Sequence, residues 1–237
     1  MQYIMAPLEH HYDYGFGATG EAFLRAAVTL SKQEGPKLFL EHLPQNFLLR
    51  HAIELFLKSG IVIIHRKLKL PFGGRSHTSM PMVHVAGEWK PFYRVHSVAE
   101  LYEHWKALIT ENEAKLKSFC KYNADWTVPP ELDDWIATIE TTDPQSTYYR
   151  YPTTRDAEGD KKKSSFKERT LEQLFPQDRP EEQKVRALVV ENEAGEFVRA
   201  YALDESTDRE STDALSAAAE MLSNFHAMMR IEITDGW

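Results

Sequence analysis

Apolar positions along the chain fall into blocks of different period. Over 18–33, Phe23, Ala26, Ala27 and Leu30 recur at the spacing of one helix face, and Gly35-Pro36 marks the end. Residues 45–68 hold the longest apolar stretch, and its apolar side chains surround the axis, which predicts a helix buried on most sides. Arg50, His51, Glu54 and Lys58 lie in its first half and would be costly in lipid, so it does not read as a membrane span. A Gly/Ser/Pro loop follows at 71–80. The runs 82–85 and 89–93 then predict a short hairpin, whose Pro91 confines the second strand to an edge. A third helix is expected over 97–122, with Ser97 as its cap, Glu100 three residues on, and Val98, Leu101, Trp105, Leu108 and Ile109 on one face.

Pro129-Pro130 introduces a short helix over 131–140. The following stretch is rich in charge and turn residues, and about 153–184 reads as a charged, flexible surface segment. Residues 185–191 and 197–203 alternate around a turn at 192–196, a hairpin signal. A last helix begins near Ser211, with Thr207, Glu210, Ser211 and Thr212 as capping groups. Its seam is Leu215, Ala218, Leu222, Phe225 and Met229. The expectation is one domain over 1–237, mainly α: a helical bundle with one or two small β-hairpins and a loop/hairpin insertion at about 69–95.

Composition narrows the function. The chain has 237 residues and is 42% hydrophobic, enough for a real core. A net charge of −8 excludes a protein that is basic throughout. The deficit is uneven, because residues 66–130 carry +4 while 131–184 carry −4 and 185–237 carry −7. A local surface facing RNA therefore stays open. The single Cys120 excludes a disulfide framework and a zinc site built on several thiolates. The ten histidines include no His-Glu-x-x-His and no His-x-His, so neither a metal nor a cofactor is expected. The glycines of 15–20 are spaced Gly-x-Gly-x-x-Gly but follow no predicted strand, and read as a loop before the first helix. The N-terminus has no basic start or long apolar run, which points to the cytoplasm.

The chemistry concentrates on the apolar helix. Arg50, Glu54 and Lys58 stand one turn apart, so Glu54 can pair with both cations. Two readings stand side by side. One is a satisfied, buried ion-pair network. The other is a polar groove in which Arg50, His51 and Lys58 surround an anion, Glu54 holds the two cations, and His51 is a candidate acid or base. Further candidates for phosphate contact are Arg150, set among Tyr148, Tyr149 and Tyr151, and the cluster Lys161, Lys162, Lys163 with Phe166 beside it.

FLLRHAIELFLKSGIVI at 47–63, VHSVAELYEHW at 95–105 and STYYRYP at 146–152 together resemble the HEPN-type helical proteins of prokaryotes. The matching residues are Arg50-His51, Ile53-Glu54-Leu55, Leu57-Lys58, His96 with Leu101, and Arg150-Tyr151-Pro152. The resemblance implies a helical bundle, a homodimer, RNA binding and a place in host defence or toxin–antitoxin systems. Active members carry an Arg followed after four to six residues by His, and no histidine here has an Arg at that distance before it. The expected function is an RNA- or partner-binding protein without that RNase site. A non-catalytic scaffold subunit and a nuclease with a His51-centred site are the alternatives.

Overall fold

The computed structural model describes residues 2–32, 40–175, 186–204 and 206–237. A short helix α1 (Gln2–Met5) and a turn at 8–10 lead into α2 (Phe16–Ser31), then α3 (His42–Leu68). Helix α3 is the axle of the molecule, since every residue from 52 to 65 is buried. It starts three residues earlier than the apolar run suggests. Pro44 sits in its first turn, where a missing N–H costs nothing. Lys69, in the left-handed conformation at φ 54°, ends it.

A two-stranded hairpin, β1 (Met82–Val85) and β2 (Glu88–Pro91), precedes α4 (Val98–Phe119) and α5 (Glu131–Thr142). Ser97 caps α4 by accepting from the Glu100 N–H at 3.1 Å. Beyond α5 come α6 (Ala157–Lys162), β3 (Phe166–Arg169) and α7 (Leu171–Leu174). The second hairpin, β4 (Ala187–Glu191) and β5 (Phe197–Leu203), leads to α8 (Arg209–Ile233). The α8 seam of Leu215, Ala218, Leu222, Phe225 and Met229 is buried against α3 and its neighbours. Each Leu, Phe or Met among them contributes roughly 1.5–3 kcal/mol by leaving water.

Two glycines set how closely the helices approach. A Cβ on Gly17 would lie 1.9 Å from His226 Nε2, and one on Gly60 would lie 2.4 Å from Trp105 Nε1. The Gly-rich 15–20 stretch, expected as a loop before the first helix, is instead the N-cap and first turn of α2, and its Gly17 makes room for α8.

The structure also differs from the sequence pattern in the charged stretch and at the start of α8. Residues 153–175 of the charged stretch carry local order. Asp156 caps α6, Thr170 and Gln173 form a capping box on α7, and β3 joins β5. The second sheet is therefore three-stranded, in the order β3-β5-β4. Helix α8 begins at Arg209 without a side-chain cap, and Ser211 is buried and hydrogen-bonded to the Tyr149 hydroxyl instead. The Gly35-Pro36 stop, residues 176–184 of the charged stretch and Val185 of the expected strand lie outside the described residues. The chain is mainly α with two small sheets among those residues. No helix among them is long and apolar enough to cross a membrane.

Candidate functional site

The polar row on α3 is built from charges that cancel. Arg50 is 2% exposed. Its Nη1 donates to Ser146 Oγ at 2.8 Å and its Nη2 to the His96 carbonyl at 2.9 Å. Its Nε pairs with Asp143 Oδ2 at 3.0 Å and its Nη1 lies 3.6 Å from Glu54 Oε2. Glu54 Oε1 accepts from Lys58 Nζ at 2.6 Å and lies 3.1 Å from His96 Nδ1. Asp143 Oδ1 accepts the N–H groups of Thr147 and Tyr148 at 2.7 and 2.9 Å. Two cations and two carboxylates are thus enclosed together, which is what makes their burial tolerable. Burial pushes the Glu54 carboxyl up, but Lys58 and His96 outweigh it and hold the group below its ordinary range.

This geometry corrects the open-groove reading. Arg50 and Lys58 are buried and paired, so they do not line a surface where a phosphate could reach them. Arg50 ties three chain segments together: α3, the 95–97 stretch ahead of α4, and the 143–146 turn after α5. His51 is half-buried between aromatic rings, edge-on to Phe23 at 4.5 Å and parallel to Phe47 at 6.0 Å. Burial lowers its pKa, Lys58, Arg50 and Arg150 push the same way, and Glu54 opposes them. Arg50, His51, Glu54, Lys58 and Arg150 therefore share one electrostatic neighbourhood.

Lys161, Lys162 and Lys163 belong elsewhere. Lys161 pairs with Glu158 at 2.7 Å on α6. Lys163 is buried. Its ammonium bonds Asp160 and the Tyr151 carbonyl and sits 4.7 Å from the Tyr148 ring. Lys162 is exposed and gives its carbonyl to Lys167 Nζ. The basic run is largely a fastening of its own loop.

The outward end of the network is His96, a residue the charge pattern did not single out as a site. Its side chain is 54% exposed while its Nδ1 is held by buried Glu54. When Nδ1 carries a proton it donates to that carboxylate, the geometry by which a carboxylate orients an imidazole. The two segments that Arg50 ties together each present an exposed Arg–Tyr pair. Arg94 lies 5.8 Å from the Tyr93 ring, just before His96, and Arg150 lies 5.4 Å from the Tyr151 ring. Tyr93 is 57% exposed and Tyr151 48%. Arg150 with its tyrosine was legible in the sequence. Tyr93-Arg94 was not, because tertiary bonds tie the stretch that follows it to the end of α5 and the turn beyond: Arg50 to the His96 and Asp143 carbonyls, and Ser97 and Ala99 to Glu140.

Other polar clusters serve packing. Asp13 accepts from Gly15 N, Gly17 N and Ser59 Oγ at 3.0, 2.7 and 2.5 Å and lies 3.6 Å from His226 Nε2. Burial raises its pKa, but these partners more than offset that and bring it to about 2. Among the described residues no group of three or more His, Cys, Asp or Glu side chains is placed to hold a metal ion. A cleft of about 650 Å³ beside His10, Arg66 and Trp237, and another of about 700 Å³ beside Trp135 and Arg209, include no member of the Arg50–His96 network. Compared with known proteins, the chain matches no protein-family model, no curated protein and no solved structure.

Proposed function

We propose that the protein binds single-stranded RNA at the surface around His96, with Arg94 and Arg150 taking phosphates and Tyr93 and Tyr151 stacking on bases. The observation that carries this reading is the pair of exposed Arg–Tyr couples on the two segments that Arg50 joins. Single strands are held in this way: a few cations follow the backbone while aromatic faces accept unstacked bases. The buried ion pairs are then the support that fixes the two segments, and the cations that reach ligand are the exposed ones. The HEPN-like resemblance extends the proposal to a homodimeric RNA-binding protein of a prokaryotic defence or toxin–antitoxin system, acting in the cytoplasm.

Binding is read by fluorescence anisotropy of a labelled uridine oligonucleotide. With two or three phosphate contacts, log Kd against log salt should have a slope of about 1.5–2 between about 50 and about 200 mM. Duplex DNA of the same length should compete poorly. No anisotropy change at high-micromolar protein would refute the proposal.

One observation favours a second reading. The Glu54–His96 pair is the arrangement of an oriented general base, so a nuclease, if there is one, centres on His96 and not on half-buried His51. RNA cleavage that persists in EDTA, disappears in His96→Ala and survives in His51→Ala would establish it. Cleavage that instead disappears only in His51→Ala would overturn it.

A further inference from the structure

The outer strand of the three-stranded sheet carries an unused surface. In the order β3-β5-β4, strand β4 has, among the described residues, a partner on one side only. It is open on both faces, with Leu188 58%, Val189 44% and Val190 38% exposed, and Phe197 and Val198 of β5 continue the apolar patch. Edge strands are ordinarily protected by a lysine, a proline or an inward charge, because their free backbone groups recruit other strands. Between Arg186 and Glu191, β4 reads Ala-Leu-Val-Val and carries none of these. The bond from Leu203 N–H to the Arg186 carbonyl, at 2.9 Å, sets the phase of the ladder. Arg186, Leu188 and Val190 accordingly turn their backbone groups to β5, and Ala187 and Val189 turn theirs to the open edge.

We propose that this edge pairs with the same edge of a second copy of the chain, antiparallel about Val189, so that the two sheets become one continuous sheet. The strand's own charges select this occupant and this direction. Arg186 stands at its start and Glu191 at its end. An antiparallel pair sets the basic end of each strand beside the acidic end of the other, whereas a parallel pair sets like beside like. About Val189, Leu188 faces Val190 of the second copy on one side of the sheet, and the two Val189 side chains face each other on the other. The contact is self-complementary, as a twofold interface must be. It is independent of RNA binding, since no residue of the His96 surface takes part.

Sedimentation equilibrium on the full chain tests it. The expected mass at high-micromolar concentration is twice the 27.4 kDa of one chain. Val189→Pro removes an N–H that points outward and none that points to β5. It should give a monomer with unchanged far-UV circular dichroism. Arg186→Glu should weaken the dimer by about tenfold or more, because like charges then meet at both ends. The swap Arg186→Glu/Glu191→Arg should restore most of the loss. A monomeric wild-type chain overturns the proposal, and so does a dimer that Val189→Pro leaves intact. Should Val189→Pro fail to fold, the charge pair decides: a swap that restores nothing overturns the antiparallel contact.

Discussion

Lys58 and Glu54 are both nearly inaccessible and lie 2.6 Å apart, so removing the Glu54 charge strands the Lys58 ammonium, whereas Glu54 keeps Arg50 and His96 beside it if Lys58 is lost. Glu54→Gln leaves the Lys58 ammonium buried beside a neutral amide and should lower unfolding free energy by about 3–5 kcal/mol in a urea melt. Glu54→Gln/Lys58→Met takes out both charges and should recover a substantial part of the loss. An unchanged urea midpoint in the single variant would mean that the pair carries little of the fold. At this scale the sequence was informative about neighbours on one helix, because the four-residue step of Arg50, Glu54 and Lys58 is a local rule. Spacing was silent on Asp143, and on any link from His96, named only by the resemblance, to this row. Those residues reach the row through tertiary contacts that no spacing encodes, and their arrival turns a possible groove into a closed network with one histidine looking out.

The first hairpin shows how an element is fastened by uncharged histidines. His65 near the end of α3 and His104 on α4 bring their Nε2 atoms to 3.4 Å. Trp89 of β2 stands edge-on to His104 at 5.5 Å, and Phe72 stacks on His65 at 4.1 Å. Burial pushes both imidazoles down to about 4 from an ordinary 6.5; at His104 the nearby His65 and His84 push the same way, and at His65 the bond to the Leu70 carbonyl opposes it. The unfolded chain takes up protons between those values while the folded chain does not. Stability is thus full above about pH 6.5 and falls toward pH 4, by at most about 1.4 kcal/mol per unit for each ring. A urea-midpoint series over that window should show the decline, and His104→Gln should make it shallower. A flat series would contradict the buried neutral pair. Losses from Asp13 and Glu54 belong to lower pH, because both groups lie below their ordinary values in the folded chain and resist protonation.

Element boundaries were legible where periodicity was strong, as in α3, α4 and both hairpins. They were hidden where pairing is distant: β3 becomes a strand only because β5, far along the chain, supplies its partner. The charged look of 161–169 pointed to a solvated run. Lys163 instead folds inward onto Asp160 and Tyr148, a contact made by the loop's path and not by its composition.

Over the whole molecule, the net charge of −8 and the proposed RNA surface are compatible because the acidic excess lies mainly in 131–184 and 185–237. Arg94 belongs to the one stretch with a positive balance, and Arg50 joins the residues just after it to Ser146, four residues before Arg150. The bundle accounts for the position of that surface: α3 is buried almost all round, its enclosed charges hold the 95–97 and 143–146 segments, and the exposed Arg–Tyr pairs adjoin those segments in sequence. The most direct test is anisotropy of a labelled uridine oligonucleotide with wild type, Arg94→Ala/Arg150→Ala, and Lys162→Ala as an exposed-lysine control, all checked for unchanged circular dichroism. The expected result is a loss of about 10–100-fold in affinity and a shallower salt slope for the double arginine variant, with Lys162→Ala close to wild type. Equal affinity for wild type and the double variant would contradict the RNA surface proposed around His96.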